Sequence, residues 1–201
     1  YLGKGIKLDT DFTISDETSS GSISIFNPNY KNSDRTIKTK VERSVTDLMS
    51  ASGYETDKTG FSIGTSYEQF KDLYFSPSIS SYYESIDTSA AASAQKKKQA
   101  GDFFESSFSY GLTLNKLNQN FQPTDGFRSS FFQSIPMISD DYTLENVYKL
   151  STYHELKEDM ILSFNLFTKA VNTLSNKDVR LSKRVTIPSR RLRGFEKGKI
   201  G

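Results

Sequence analysis

The sequence has no cysteine, no tryptophan, a single histidine and no long apolar run. Without cysteine, neither a disulfide framework nor a thiolate metal site can form. No stretch of about 18 apolar residues is present, so a membrane-spanning helix is excluded. The mean hydropathy of −0.55 suggests a soluble protein. A membrane β-barrel can also have a low mean hydropathy, because only alternate residues of each strand face lipid.

A catalytic centre has little support in the sequence. His154 is the only histidine, so a Ser–His–Asp arrangement would need it as the base. It lies beside Glu155 where a strand is expected to end, which favours an interfacial or turn histidine. There is no nucleophile elbow, no phosphate-binding glycine loop and no His-rich metal spacing. We therefore predict no enzyme, no cofactor and no metal.

The net charge of +2 gives no general attraction to nucleic acid, but the charge is unevenly distributed. From Asn176 onward there are nine Lys or Arg against Asp178 and Glu196. Subtraction from the totals of 26 and 24 leaves 17 basic and 22 acidic residues in the first 175. The last stretch is a distinct basic unit.

Alternation with period two repeats along the chain and predicts strands with unlike faces. The first example places Leu8 and Phe12 on one face and Asp9 and Asp11 on the other. A later example sets Phe104, Phe108, Tyr110, Leu112 and Leu114 against Glu105, Ser107, Ser109, Gly111 and Thr113. We predict nine strands, near 5–14, 20–27, 35–47, 60–68, 73–84, 103–115, 127–136, 142–155 and 160–171.

Strand length and connection length both favour a membrane barrel over an ordinary sandwich. Several predicted strands reach the roughly 9–11 residues that a tilted strand needs to cross a bilayer. The longest connections, 48–59, 85–102 and everything after 171, all fall on odd positions and therefore at one end of a meander. Outer-membrane barrels place long loops outside. The low-complexity segment 87–98 is expected to be a short helix or an outer loop.

One connection has a specific pattern: Asn115-Lys116-Leu117 leads into it, and Pro123-Thr124-Asp125-Gly126 ends it. Pro123 presets a turn φ, Asp125 can bond its own backbone, and Gly126 supplies a positive φ. These residues alone predict an ordered turn between two strands. The pattern closely resembles a periplasmic turn of BamA-type outer-membrane barrels.

A second pattern lies in the basic stretch, where Arg193-Gly194-Phe195 is followed by Gly198. It resembles the Arg-Gly-Phe signature of the loop that folds back into the barrel lumen in this superfamily. The resemblance implies that Arg193 donates to buried carboxylates, that Gly194 allows a tight tip and that Phe195 anchors the tip. A basic surface loop attracted to lipopolysaccharide or nucleic acid is the alternative. Pro188-Ser189 departs from the glycine-rich approach common in the family.

Two further segments resemble motifs of the family more weakly and occur in the family's order: Leu2-Gly3-Lys4-Gly5 and Phe26-Asn27-Pro28-Asn29-Tyr30. The chain is thus expected to be a fragment, with nine strands of an about sixteen-stranded transmembrane antiparallel up-and-down β-barrel. Residues 1–171 would form the membrane β-barrel strands, and 172–201 the basic lumen-inserting loop.

The resemblance implies that the protein folds and inserts β-barrel proteins in the bacterial outer membrane. Its partners would be the lipid bilayer, unfolded β-barrel clients and accessory lipoproteins of an assembly complex, with no nucleic acid. Substrate strands would pair with a seam that lies outside this chain. Two alternatives remain: a related protein-secretion pore or autotransporter-assembly barrel, and a soluble β-rich binding domain with a two-layer core.

Overall fold

The computed structural model describes residues 5–158 and 160–185. Nine strands form one sheet, in chain order, and each strand is antiparallel to the next. The strands are β1 (Lys7–Ile14), β2 (Thr18–Asn27), β3 (Thr36–Leu48), β4 (Tyr54–Phe70), β5 (Leu73–Thr88), β6 (Gly101–Asn115), β7 (Gly126–Ser139), β8 (Thr143–Lys157) and β9 (Met160–Thr173). The short helices are α1 (Met49–Ser52), α2 (Ala94–Lys97) and the 3₁₀ turns Tyr30–Asn32 and Leu181–Lys183.

The predicted fold class is confirmed. The up-and-down order is unbroken, and within the described ranges β1 and β9 each pair with a neighbour on one side only. The sheet is therefore not closed, as expected for part of a barrel. A short helix does form in the low-complexity segment, where the Ser93 hydroxyl accepts a hydrogen bond from the Lys96 amide at 3.4 Å.

The predicted connection lengths are wrong in two places. β4 begins at Tyr54, so the connection expected at 48–59 is only 49–53. β5 continues to Thr88, so the connection expected at 85–102 is 89–100. The added residues of β4 are mostly polar on both faces, and in β5 the added Ile86 lies on the same face as Glu84. Neither segment therefore alternates between an apolar and a polar face. Length alone does not separate the two ends of the sheet, because the connection 116–125 lies opposite to 49–53.

One face of the sheet, the apolar face, carries the large hydrophobic side chains. Phe12 is 79% exposed and Phe61 is 49% exposed. Among the described residues the buried apolar side chains are few, namely Ile86, Leu181 and Pro136. The two-layer core required by a soluble sandwich is thus not formed. Within the same ranges, no helix has the length and apolar character needed to span a membrane.

The opposite face, the polar face, follows from the register. Glu84 on β5 pairs with Lys58 on β4 and with Phe103 on β6, so all three point to one side. The same face continues through many serines, threonines and charged residues and includes Ser80, Ser107, Ser109, Ser130, Ser134 and Ser151. Hydroxyl pairs join neighbouring strands on this face, as between Ser109 and Ser134 at 2.9 Å.

The sheet has two ends, which differ in their connections. The odd end carries the first, third, fifth and seventh connections and the segment after β9, and the even end carries the other four. At the odd end, connection 89–100 packs over 49–53: the Lys96 ammonium donates to the Ser52 carbonyl at 2.6 Å. The amide of Ser89 donates to the carbonyl of Gly53 at 3.0 Å. Neighbouring connections therefore form one layer at this end.

Candidate functional site on the polar face

The chain returns onto the sheet after β9. The Leu174 amide donates to the Tyr142 carbonyl at 2.7 Å, which turns the chain at the odd end. Lys177 then donates to the Asp140 carbonyl at 2.9 Å. Leu181 is only 6% exposed. Residues 174–185 are thus a packed segment, which we call the return segment.

Arg180 is the main anchor of the return segment and is 2% exposed. Its Nη1 donates to Glu84 Oε2 at 2.8 Å, and its Nε donates to Asp141 Oδ2 at 3.1 Å. Its guanidinium carbon lies 4.2 Å from the centre of the Phe103 ring. A planar guanidinium suits this place because it can bond two carboxylates at its edge while stacking on a ring. A lysine could not make all three contacts.

Two more side chains of the return segment bind the same wall. The Ser182 hydroxyl donates to Glu84 Oε2 at 2.9 Å. Lys183 pairs with Glu105, which follows Phe103 on the same face of β6. Burial lowers the pKa of Lys183, and the Glu105 carboxylate opposes that change. The carboxylates of Glu84 and Glu105, on neighbouring strands, are therefore each paired with a cation of the return segment. The Ser182 hydroxyl adds a hydrogen bond to Glu84.

A cross-strand contact supports this wall from the side. The Tyr82 hydroxyl on β5 reaches across β4 and donates to Glu42 Oε1 on β3 at 2.9 Å. Gly60 lies under the ring, where an added Cβ would be 2.3 Å from the ring's Cδ1 and from the Ser81 carbonyl oxygen. The Lys58 ammonium lies 4.0 Å from the ring centre. Only glycine at position 60 allows Tyr82 to lie flat over β4.

The connection predicted as an ordered turn is ordered by a different side chain. Asn118 Oδ1 accepts from the amides of Thr124 at 3.2 Å and Asp125 at 3.3 Å. The predicted bond from Asp125 to its own backbone is not formed; the carboxylate instead lies 3.4 Å from His154 Nδ1. Asn118 takes that place because its amide also donates to the Thr124 hydroxyl at 2.7 Å. Gly126 has the positive φ expected of it, +98°.

The lead-in residues of this turn hold it to the neighbouring connection. Lys116 Nζ donates to Asp72 Oδ2 at 2.6 Å, and the Asn115 amide donates to the Asp72 carbonyl at 2.9 Å. The Lys116 ammonium holds the pKa of the Asp72 carboxyl below its usual range. At the tip, Phe121 is 80% exposed. The turn is thus a hydrogen-bonded platform at the even end.

The Arg-Gly-Phe residues Arg193, Gly194 and Phe195, with Gly198, lie outside the described residues. The anchor at Arg180 was missed by the sequence reasoning. It joins residues far apart in the chain, and its only sequence signal is the charge contrast between the basic stretch and the acidic remainder. In the ranges that the structure describes, no group of three His, Asp or Glu residues could hold a metal ion.

Comparisons with known proteins identify a family and a fold. A family model described as the Omp85 superfamily domain matches residues 1–201. Among solved structures, the chain is similar to BamA from Haemophilus ducreyi lacking POTRA domains 1-3, with 15% identity and a TM-score of 0.85. The match covers 100% of this chain and 42% of that chain, so this chain spans less than half of that structure. No curated protein sequence matches.

Proposed function

Because the chain belongs to the Omp85 superfamily, we propose that the full-length protein folds and inserts β-barrel proteins in the bacterial outer membrane. The proposal is supported by the return of the chain onto the polar face after β9, where Arg180 anchors it. A barrel that only spans the membrane does not require a buried Arg180 that bridges Glu84 and Asp141. The activity proposed is assembly without covalent chemistry.

The two faces support a membrane position. The apolar face, with exposed side chains such as Phe12, Phe61 and Leu162, would lie against lipid, and the polar face would line the lumen. The lumen loop predicted at 172–201 would then begin after β9 ends at Thr173, and the contacts of the return segment support its position inside the lumen. The odd end would face outward, since it carries connection 89–100 and the return segment. The even end would face the periplasm.

The turn at the even end favours assembly over secretion within the superfamily. Its residues 115–126 resemble the periplasmic turn of BamA-type barrels, and they form a hydrogen-bonded platform rather than a loose loop. Clients would be unfolded outer-membrane β-barrels, added strand by strand to an open edge. Accessory lipoproteins would complete an assembly complex.

The Arg-Gly-Phe motif supplies the test. The full-length protein carrying Arg193→Ala should fail to restore folded porins in cells depleted of the wild-type protein. Arg191→Ala removes the same charge outside the motif and serves as the matched control. Folded porin is measured by its heat-modifiable mobility on gels, together with the amount of each variant in the outer membrane.

Normal porin levels in Arg193→Ala cells would reject the proposed role of this residue. If depletion of the protein itself left porins normal but abolished export of one secreted protein, the secretion alternative would replace the proposal.

A further inference from the structure

The polar face has a second region, towards the even end, where charge is arranged differently. A cavity of about 600 Å³ is lined by Ser76, Thr113, Arg128, Ser130, Lys149 and Ser151. We call it the cationic groove. Its charged lining side chains are Arg128 and Lys149, both of one sign, and its other polar lining groups are hydroxyls.

The two cations of the groove are unpartnered. Throughout 5–158 and 160–185, neither Arg128 nor Lys149 forms an ion pair or a side-chain hydrogen bond. Elsewhere on the same face Lys169 pairs with Glu145 at 2.9 Å. Arg128 is opposite Ser151 and Lys149 is opposite Ser130, so the two cations are diagonal neighbours on β7 and β8. Diagonal neighbours lie about 7–8 Å apart.

The chain's own basic stretch does not suit this groove. The stretch after Asn176 has nine Lys and Arg against Asp178 and Glu196, so its net charge complements Glu84 and Glu105 rather than Arg128 and Lys149. The charge of the polar face thus directs the return segment to the odd end. Within the ranges that the structure describes, no acidic side chain lines the groove.

We propose that the cationic groove binds an acidic segment of an extended polypeptide. In an extended chain, side chains two residues apart lie on one side and are roughly 6.6–7 Å apart. Carboxylates at such positions match the diagonal spacing of Arg128 and Lys149. The hydroxyls of Ser130 and Ser151 lie beside the two cations and can donate to the same carboxylates. This inference rests on the proposed function, in which unfolded clients enter the lumen from the periplasm.

The test is direct binding of a peptide to the full-length protein in nanodiscs of neutral phosphatidylcholine. A fluorescein-labelled peptide of alternating aspartate and threonine should bind, as measured by fluorescence anisotropy. The same peptide with asparagine for aspartate should bind at least tenfold more weakly, since charge-assisted hydrogen bonds are lost. Arg128→Ala and Lys149→Ala should each weaken binding about tenfold, and Arg128→Lys should restore most of it.

Lys38→Ala is the matched control. Lys38 is a cation on the polar face near the even end, on β3, and it does not line the groove. Its loss should leave peptide affinity unchanged, and heat-modifiable mobility verifies that each variant is folded. Equal binding of the asparagine peptide, or unchanged affinity in Arg128→Ala, would overturn the proposal. So would displacement of the peptide by inorganic phosphate at a similar concentration, because the site would then recognise phosphate.

Peptide binding and porin assembly, measured on the same protein, separate this inference from the proposed function. If the acidic peptide does not bind while porin assembly is normal, the groove proposal is wrong and the assembly function stands. If the peptide binds but the protein proves dispensable for porin assembly, the assembly function is wrong and the anion site stands.

Discussion

The polar face contains two cationic environments that differ in almost every physical respect. At the odd end, Arg180 is buried between Glu84 and Asp141 and stacked on Phe103. Towards the even end, Arg128 is exposed in a groove without a described carboxylate partner. Both regions lie on the same face of the sheet, but the charges on their strands have opposite signs: Glu84 and Glu105 at the odd end, and Arg128 and Lys149 towards the even end. The return segment covers the first region, and within 5–158 and 160–185 no segment of the chain covers the second.

Arg180 and Arg128 should differ strongly in their contribution to the free energy of unfolding. Arg180→Ala would leave the buried carboxylate of Glu84 without its cation and Asp141 with Lys177 alone, at 3.6 Å. Removing one partner of a buried ion pair typically costs about 3–5 kcal/mol. Arg128→Ala should change stability by less than about 0.5 kcal/mol, because it removes an unpaired exposed group. Urea unfolding of the full-length protein, followed by heat-modifiable mobility, measures both. Equal effects would contradict the distinction between a closed and an open region.

A steric effect of intermediate size is expected beneath Tyr82. Gly60→Ala should destabilise the protein by about 1–3 kcal/mol, because the new methyl group would overlap the ring and the Ser81 carbonyl. Gly111→Ala is the control in the cationic groove, where the nearest atom, Ser76 Cβ, is at 3.7 Å. Its effect on the unfolding free energy should be much smaller. A Gly60→Ala protein as stable as Gly111→Ala would show that Tyr82 does not lie across β4.

The smallest effect concerns the exposed pair at the even end. The pKa of Asp72 is lowered by Lys116 in the folded state, so the pair stabilises at neutral pH. This stabilisation is lost as the pH falls through the lowered pKa of the folded state, where the carboxyl becomes protonated. Asp72→Asn should therefore show a slight loss of thermal stability at pH 7 that becomes smaller as the pH is lowered to 2. A loss of the same size at both values would exclude the charge as its cause.

Much of the fold could be predicted from the sequence because each strand has one apolar and one polar face. In β1, Leu8 and Phe12 alternate with Asp9 and Asp11, and the structure places the two sets on opposite sides. The first residues of β4 were missed because Glu55 and Asp57 occupy apolar-face positions and remove the alternation. Pairing with β3 and β5 extends the strand where its own pattern does not.

The candidate site could be predicted less well because its contacts are distant in sequence. Arg180 and Glu84 are 96 residues apart in the chain, and no local spacing connects them. The basic stretch was predicted, but the arginine expected to bind buried carboxylates was Arg193 and not Arg180. In the turn, Gly126 was predicted from its backbone requirement. The ordering role of Asn118 depends on a loop closure that only the folded chain reveals.

Arg180 holds the return segment against the polar face. Leu181 is 6% exposed and Leu174 is 60% exposed, and this chain has no cysteine of its own. In the full-length protein without other cysteines, Leu181→Cys should react with a polar maleimide much more slowly than Leu174→Cys. Adding Arg180→Ala should make the two rates similar. If Leu181→Cys is labelled as fast as Leu174→Cys while Arg180 is present, the return segment is not anchored and the account is wrong.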